Sequence, residues 1–415
     1  MDKNKNKILI VGCSAKEYAL AKKLLEQKNI VYVAPGNDRI KDLTECIDIR
    51  ENKPEELLEF VLENGIDLTI CTSELALKSD ITDIFQANDQ KIFAPSAKSA
   101  EIALSRSAAK RFLYKLRIPT PRFGTFDKIQ SSIDYLKTAA MPQVIRADEA
   151  SNGADRLVCT TYSSAKTFAE DLFCRNEAKI VLEDFVFGHE FTFYVVTDGY
   201  KAIHLATVAN FKFMENGNGG ILTPGVGAFT PDYKISFETE QSIMNNVVNR
   251  VLDALQKKDI PYLGILGIEC VLNNDGHYVV LGFNHFLQDH DSQAILNLVD
   301  EDLFSLFEAC TLGIFADDYA AIKVSDNSSV SCVISSKTAG KTIENLDLIE
   351  ADITPFNINK NSYLELETTE GRTLVLTKTS KTITRACKEI YEDAELIKFN
   401  GKKYRTDICE NVEKF

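Results

Sequence analysis

The stretch from residue 7 to residue 37, KILIVGCSAKEYALAKKLLEQKNIVYVAPGN, decides the fold class. Lys7–Val11 is an apolar run of strand length, and Gly12-Cys13-Ser14 is a tight turn. Lys16–Lys28 has helical spacing, with Tyr18, Leu20, Leu24 and Leu25 able to share one face. Ile30–Ala34 is a second apolar run, ended by Pro35-Gly36-Asn37. Strands that are apolar at every position, separated by a helix, imply a parallel sheet covered on both faces.

The same rhythm continues outward. Pro54–Asn64 reads as a helix, Leu68–Cys71 as a strand, Ile81–Ala87 as a helix, and Lys91–Ala94 as a strand stopped by Pro95. Ala97–Leu116 is one long helical stretch, closed by Ile118-Pro119-Thr120-Pro121, a boundary or hinge. Then the pattern changes. Gln143–Arg146, Arg156–Cys159, Ile180–Glu183 and Phe191–Thr197 predict strands of an antiparallel unit, with a helix at Ser164–Cys174 among them. Glu215–Gly227 is Gly-rich and polar and predicts a mobile loop. Ser236–Lys257 predicts a long helix. Gly264–Asn273 and His277–Phe283 predict a hairpin across Asn274-Asp275-Gly276, because Asp-Gly between apolar runs suits a tight turn. Gln293–Leu312 predicts a last large helix. Ser329–Phe415 predicts an α+β unit, with strands at Leu364–Leu366 and Thr373–Thr377 and a helix at Thr382–Ala394.

A chain of 415 residues is too long for one core, so several domains are expected. The formal net charge of −14, with no dense basic run, argues against nucleic-acid and membrane partners. No leader-like start and no apolar stretch near the roughly 20 residues that span a bilayer point to a cytoplasmic protein. The ten cysteines include no C-x-x-C pair. Cys13, Cys71, Cys159, Cys270 and Cys332 sit in or beside apolar runs, which predicts free thiols in a reducing compartment rather than disulfides or zinc.

A series of landmarks recurs in order along nearly the whole chain. They include Ile8–Gly12, Val33-Ala34-Pro35-Gly36-Asn37, Lys91-Ile92-Phe93-Ala94-Pro95-Ser96 and Val144-Ile145-Arg146-Ala147-Asp148. They continue with Gly188-His189-Glu190, Gly225-Val226-Gly227-Ala228-Phe229-Thr230-Pro231 and Gly282-Phe283-Asn284. Jointly they resemble the phosphoribosylamine–glycine ligase family, which joins glycine to phosphoribosylamine with ATP and a divalent metal. The resemblance implies a multidomain α/β and α+β chain. A Rossmann-like parallel-sheet domain (1–96) and a helical linker (97–120) would precede an ATP-grasp fold. That fold would comprise a lid subdomain (121–190) and a central subdomain (191–325), followed by a small α+β domain (326–415). It implies ATP and Mg2+ or Mn2+ as cofactors, glycine and phosphoribosylamine as substrates, and a monomer or weak homo-oligomer.

The resemblance also assigns residues. Arg146 falls against the nucleotide phosphates. Glu183 and Glu190 fall at the adenine-linker segment and the ribose, where a carboxylate can accept two hydroxyls. The backbone of Glu183, Asp184, Phe185 and Val186 would meet the adenine edge. Glu269 and Asn284 match metal ligands; Mg2+ prefers such oxygen donors, and a glutamate in an apolar strand is costly to bury without a partner. Asp289 and Arg372 match positions near the reacting groups. Other family positions are replaced. Ala154 stands for the lid lysine, Asp155 for a lid glycine, Gly282 for the second metal carboxylate and Phe286 for a phosphate-facing arginine. The first turn, Gly12-Cys13-Ser14-Ala15-Lys16-Glu17, loses a glycine, and side chains there obstruct the approach of backbone amides to phosphate. His285 and His290, with Asp289 and Asp291, are additions of metal-ligand type in what reads as a solvated polar loop. Three readings stay open: the family ligase, a non-catalytic nucleotide-binding relative, and a ligase for another carboxylate and amine.

Overall fold

In the computed structural model, which describes residues 5–149, 155–175, 177–356, 358–363 and 365–410, the apolar runs near the start become a five-stranded parallel sheet. Its strands are β1 (Lys7–Gly12), β2 (Ile30–Pro35), β3 (Glu45–Cys46), β4 (Leu68–Cys71) and β5 (Ile92–Phe93), in the order β3-β2-β1-β4-β5. Helices α1 (Ala15–Glu26), α2 (Pro54–Asn64), α3 (Glu74–Lys78) and α4 (Ile81–Ala87) connect them. Successive side chains of a strand face opposite ways. Ile8 and Ile10 accordingly join one buried cluster with Leu20 and Leu24 of α1, while Leu9 and Val11 join another with Leu57 and Val61 of α2. Two apolar faces on one strand are what a doubly covered sheet requires.

The single helix expected over Ala97–Leu116 is two, α5 (Ala97–Leu104) and α6 (Arg106–Lys115). Ser105 between them is extended, at φ −122° and ψ 120°, and its side chain caps Ala108 N of α6. Asp148 completes the break. Its carbonyl accepts from Arg106 N at 2.8 Å and its carboxylate from Ser107 N at 2.6 Å. A carboxylate on free amides at a helix start is a stabilising cap. Asp148 thus serves as a cap on α6.

The next unit is a four-stranded antiparallel sheet of β6 (Phe123–Phe126), β7 (Gln143–Ala147), β8 (Arg156–Cys159) and β9 (Ile180–Asp184), ordered β6-β9-β7-β8. Helices α7 (Ile129–Leu136) and α8 (Tyr162–Cys174) pack on it through Ile145, Ala147, Ile180 and Leu182. The alternate residues Arg146 and Glu183 therefore face the other way, toward α6 and the central sheet.

The central sheet has nine strands. They include β10 (Gly188–Asp198), β11 (Ala202–Glu215), β12 (Gly219–Thr230), β13 (Leu263–Asn273) and β14 (Tyr278–Asn284). Glu215–Gly227 is thus no loop. Most of it is β12, which pairs with β11 on one side and with β15 (Ser328–Ser336) on the other. The glycines that suggested mobility allow close packing: a Cβ on Gly225 would lie 2.1 Å from the His290 ring. Helical residues 237–256, α9 (Phe237–Ile243) and α10 (Asn249–Gln256) with a π turn between them, cover one face. The helix expected over Gln293–Leu312 is also split, into α11 (Asp289–Leu296) and α12 (Leu303–Leu312), with the short α13 (Phe315–Asp318) after them.

The main strands of the C-terminal residues extend the central sheet. β16 (Asp352–Pro355) and β19 (Gly371–Ser380) follow β15, and β20 (Lys402–Lys403) pairs with it. β17 (Ile358–Lys360) and β18 (Leu366–Thr368) form a separate pair, and α14 (Ile383–Leu396) covers the sheet. Leu364, expected to start a strand, lies outside the described residues. The expectation of free thiols throughout is corrected at Cys387 and Cys409. α14 and the C-terminal turn bring their Cα atoms to 6.0 Å, within bridging range, and the two form a disulfide. Eight cysteines are free, Cys71, Cys159, Cys270 and Cys332 among the buried ones. Among the described residues no helix is long and apolar enough to cross a membrane.

Candidate functional site

Two buried carboxylates organise the space between the four-stranded and central sheets. Glu183, on β9, is 3% exposed. Its Oε2 lies 2.5 Å from Lys110 Nζ of α6, and its Oε1 lies 3.1 Å from Arg146 Nε. Burial pushes the Glu183 carboxyl up, but Lys110 and Arg146 outweigh it and hold it below its ordinary value. Expected at the adenine-linker segment, Glu183 is thus engaged by two cations. The Arg146 contact lacks hydrogen-bond alignment, so this Nε–H has no acceptor among the described residues.

Glu269, on β13, is 5% exposed. Its neighbours Ile268 and Cys270 point into the core under α9 and α10, so it stands on the opposite face. There Oε1 accepts from Lys212 Nζ of β11 at 2.8 Å, and Oε2 from Arg106 Nη1 at 3.0 Å. Burial raises this carboxyl, and Lys212, Arg106 and Arg146 more than reverse the effect, holding it well below the usual carboxylate range. Lys212 also reaches Glu190 Oε2 at 3.6 Å. Glu190 and Arg106 are about one-fifth exposed and form the open side of this charged seam.

The strand-to-strand link Asp184-Phe185-Val186 borders the seam. Asp184 Oδ1 accepts from Gln143 Nε2 at 2.6 Å, and Phe185 packs edge-on to Phe187 at 4.8 Å between centroids. Phe187 is 63% exposed, an apolar surface at the place assigned to an adenine. Gly153 and Ala154, the lid positions, lie outside the described residues. Asp155 is paired with Arg156 at 2.8 Å.

The assigned metal ligands do not fit a two-ion site. Both Glu269 oxygens already accept from cations, and position 282 offers no donor side chain. Asn284 is buried, and its amide nitrogen has no hydrogen-bond partner among the described residues. Among those residues no group of three or more His, Cys, Asp or Glu side chains could hold a metal. His285 and His290 do not gather into one either. His285 Nε2 lies 2.9 Å from the Thr72 carbonyl, and His290 packs on Gly225. His290 Nε2 is 3.0 Å from Asp291 Oδ1, yet outside hydrogen-bond geometry. The segment read as a solvated loop is buried: His285, His290 and Asp291 are 5%, 1% and 0% exposed. Phe286 is 3% exposed and joins Leu20, Ile265 and Phe307 in the core between the parallel and central sheets, facing no phosphate.

A second polar centre lies at the first strand–helix turn. Asp289, at the start of α11, accepts from Ser14 Oγ at 2.7 Å and from Lys16 N at 3.1 Å. Glu17, 1% exposed, accepts from Ser14 N at 2.6 Å and from the hydroxyls of Ser14 and Thr72. The α1 N-terminus, a natural anion site, is therefore filled by the chain's own carboxylates. Arg372, on β19, approaches the same place. It stacks on Phe356 at 4.1 Å, its Nη1 is buried without a hydrogen-bond partner, and its charge helps hold Asp289 below its ordinary value against burial.

The structure thus gathers Arg146, Glu183, Glu190, Glu269 and Asn284 in one seam, and Asp289 with Arg372 at another centre. Sequence reading missed Arg106, Lys110 and Lys212. Lys212 carried a signal, because it stands between two phenylalanines, Phe211 and Phe213, as Glu269 interrupts its own apolar strand. A cavity of about 720 Å3 lies elsewhere, between β11, α9 and residues 320–327.

Comparison with known proteins bears on both centres. Residues 6–103 match the family model described as phosphoribosylglycinamide synthetase, N domain, and residues 104–292 match its ATP-grasp (A) domain. Phosphoribosylamine–glycine ligase of Caldanaerobacter subterraneus is 30% identical, over 97% of this chain and 99% of its own length. That of Clostridium acetobutylicum is 29% identical over the same shares. Among solved structures, phosphoribosylamine–glycine ligase from Thermotoga maritima superposes with a TM-score of 0.80 at 22% identity, covering 97% of this chain and 99% of the other. An L-amino acid ligase from Bacillus licheniformis gives 0.70 at 14% identity, covering 95% and 98%.

Proposed function

The chain belongs to the phosphoribosylglycinamide synthetase family, and from that premise we propose that it is an ATP-dependent ligase that joins glycine to phosphoribosylamine. The observation that carries the reading is the seam. Arg106, Lys110, Arg146 and Lys212 face Glu183, Glu190 and Glu269 in a buried setting, where fixed charges act strongly. Phosphoryl transfer asks the protein mainly for positioning and charge stabilisation. The base of ATP would rest on Phe187 and the backbone of Glu183–Val186, with Glu190 near the ribose and Arg146, Arg106 and Lys212 toward the phosphates.

A glycine carboxylate oxygen attacks the γ-phosphorus, and the bond to ADP breaks with its electrons leaving on ADP. The acceptor nitrogen then attacks the acyl carbon, the C–O bond to phosphate breaks, and the nitrogen's extra proton passes to the departing phosphate. Asp289 is ionised and held too low to serve as a strong base, so its role is to orient the amine. Arg372 stands opposite it and closes the site against the leaving phosphate.

The filled α1 N-terminus favours a second reading, in which the same ligase chemistry uses an amine without a phosphate group. One assay separates the two. ADP release is followed with ATP and glycine in magnesium buffer, with and without freshly generated phosphoribosylamine, against a Glu269→Ala control. Release that needs both co-substrates and vanishes in the control supports the first reading. Release with other amines but not with phosphoribosylamine supports the second. No release with any amine, while an active family member turns over, removes both.

A further inference from the structure

Resting on the nucleotide reading above, we propose that the Arg106 guanidinium takes the place of a protein-held metal ion beside Glu269, so that the seam binds nucleotide diphosphate without a divalent cation.

Strand register sets the geometry. Glu269 of β13 sits directly across from Gly282 of β14. Side chains at such a pair stand side by side on one face of the sheet. A glycine leaves the partner half of that space empty, and Arg106 fills it. An ideal Cβ on Gly282 would lie 3.2 Å from Arg106 Nη1 and 3.4 Å from Glu269 Oε2. The guanidinium thus occupies the ground that a carboxylate at 282 would need, and it donates to Glu269 at 3.0 Å.

Arg106 is held there from behind. It is the first residue of α6, and Asp148 caps that helix start through Arg106 N at 2.8 Å and Ser107 N at 2.6 Å. Lys212 saturates the other Glu269 oxygen at 2.8 Å. A divalent ion would have to displace an ion-paired cation from each oxygen, and its second carboxylate would be missing. An anion meets the opposite situation. Asn284 Nδ2 and Arg146 Nε are both buried N–H donors without a hydrogen-bond acceptor, on the same seam. Unsatisfied buried donors are costly, and the oxygens of a diphosphate would satisfy them.

The test is isothermal titration of the full-length protein with ADP, once in magnesium buffer and once in EDTA. The expected result is an affinity that changes by less than about fivefold between the two, with Arg106→Ala weakening ADP by about tenfold or more in EDTA. The double variant Arg106→Ala, Gly282→Glu, with a carboxylate restored across from Glu269, is expected to bind ADP tightly only with magnesium. A loss of about fivefold or more on removing magnesium from the unaltered protein overturns the proposal while leaving the nucleotide reading intact. Absence of ADP binding in both buffers overturns both. The unaltered protein decides the matter even where a variant fails to fold.

Discussion

The two polar centres use the same residue types to opposite effect. In the seam, cations surround carboxylates and outnumber them, and among the described residues Arg146 Nε and Asn284 Nδ2 lack hydrogen-bond acceptors. At the first turn, carboxylates occupy the amides and hydroxyls, so Glu17 and Asp289 already sit where an anion would dock. One centre leaves donors unfilled, and the other is closed from within. A single fold thus carries one polar centre with unfilled donors and another filled by its own carboxylates.

The largest expected effect breaks the seam. Glu183→Ala leaves Lys110 and Arg146 buried without their counter-charge and should lose about 3–5 kcal/mol of stability in urea denaturation. Adding Lys110→Met should recover part of that loss, because the stranded charge is removed with its partner.

Acid should come next, and it acts on both regions. Burial holds the imidazoles of His285 and His290 below their ordinary 6.5. The unfolded chain takes up these protons first, so their contribution is intact above pH 6.5 and is lost as pH falls through it. Glu183 and Glu269 behave in the carboxylate sense. Their contribution is present above the ordinary 4.5 and is lost as pH falls toward their lowered values. Thermal melts across pH should therefore decline in two stages, the first beginning near 6.5. A flat profile down to pH 5 would contradict the histidine assignment.

Smaller effects sharpen the comparison. Gly225→Ala drives a methyl into the His290 ring and should destabilise by about 1–3 kcal/mol. Glu17→Gln at the closed turn should cost about 1–3 kcal/mol, below the Glu183 change, because Lys16, 3.9 Å from Glu17, keeps Asp289 as a counter-charge. Lys137→Ala, in the exposed pair with Asp134, should leave the melting temperature nearly unchanged.

The sequence made the parallel sheet legible, because strands apolar on both faces admit few other arrangements. It made Glu269 legible by the oddity of an acid within an apolar run. It hid the breaks at Ser105 and after Leu296, since helical periodicity continues across them and only Asp148, far along the chain, supplies the cap at the first. It hid β12, whose glycines serve close packing rather than motion. The His285–Asp291 segment was misread as a solvated loop because its burial depends on packing between two sheets. The partners of Glu183 and Glu269 were invisible for the same reason, since each comes from a different element.

The central claim is that the seam's fixed cations receive a nucleotide's phosphates. Equilibrium binding of ATP and of adenosine to the unaltered protein tests it most directly. Several charge-assisted contacts predict that ATP binds at least about a hundredfold more tightly than adenosine, an advantage that Lys212→Ala reduces. Equal affinity for ATP and adenosine would contradict the account.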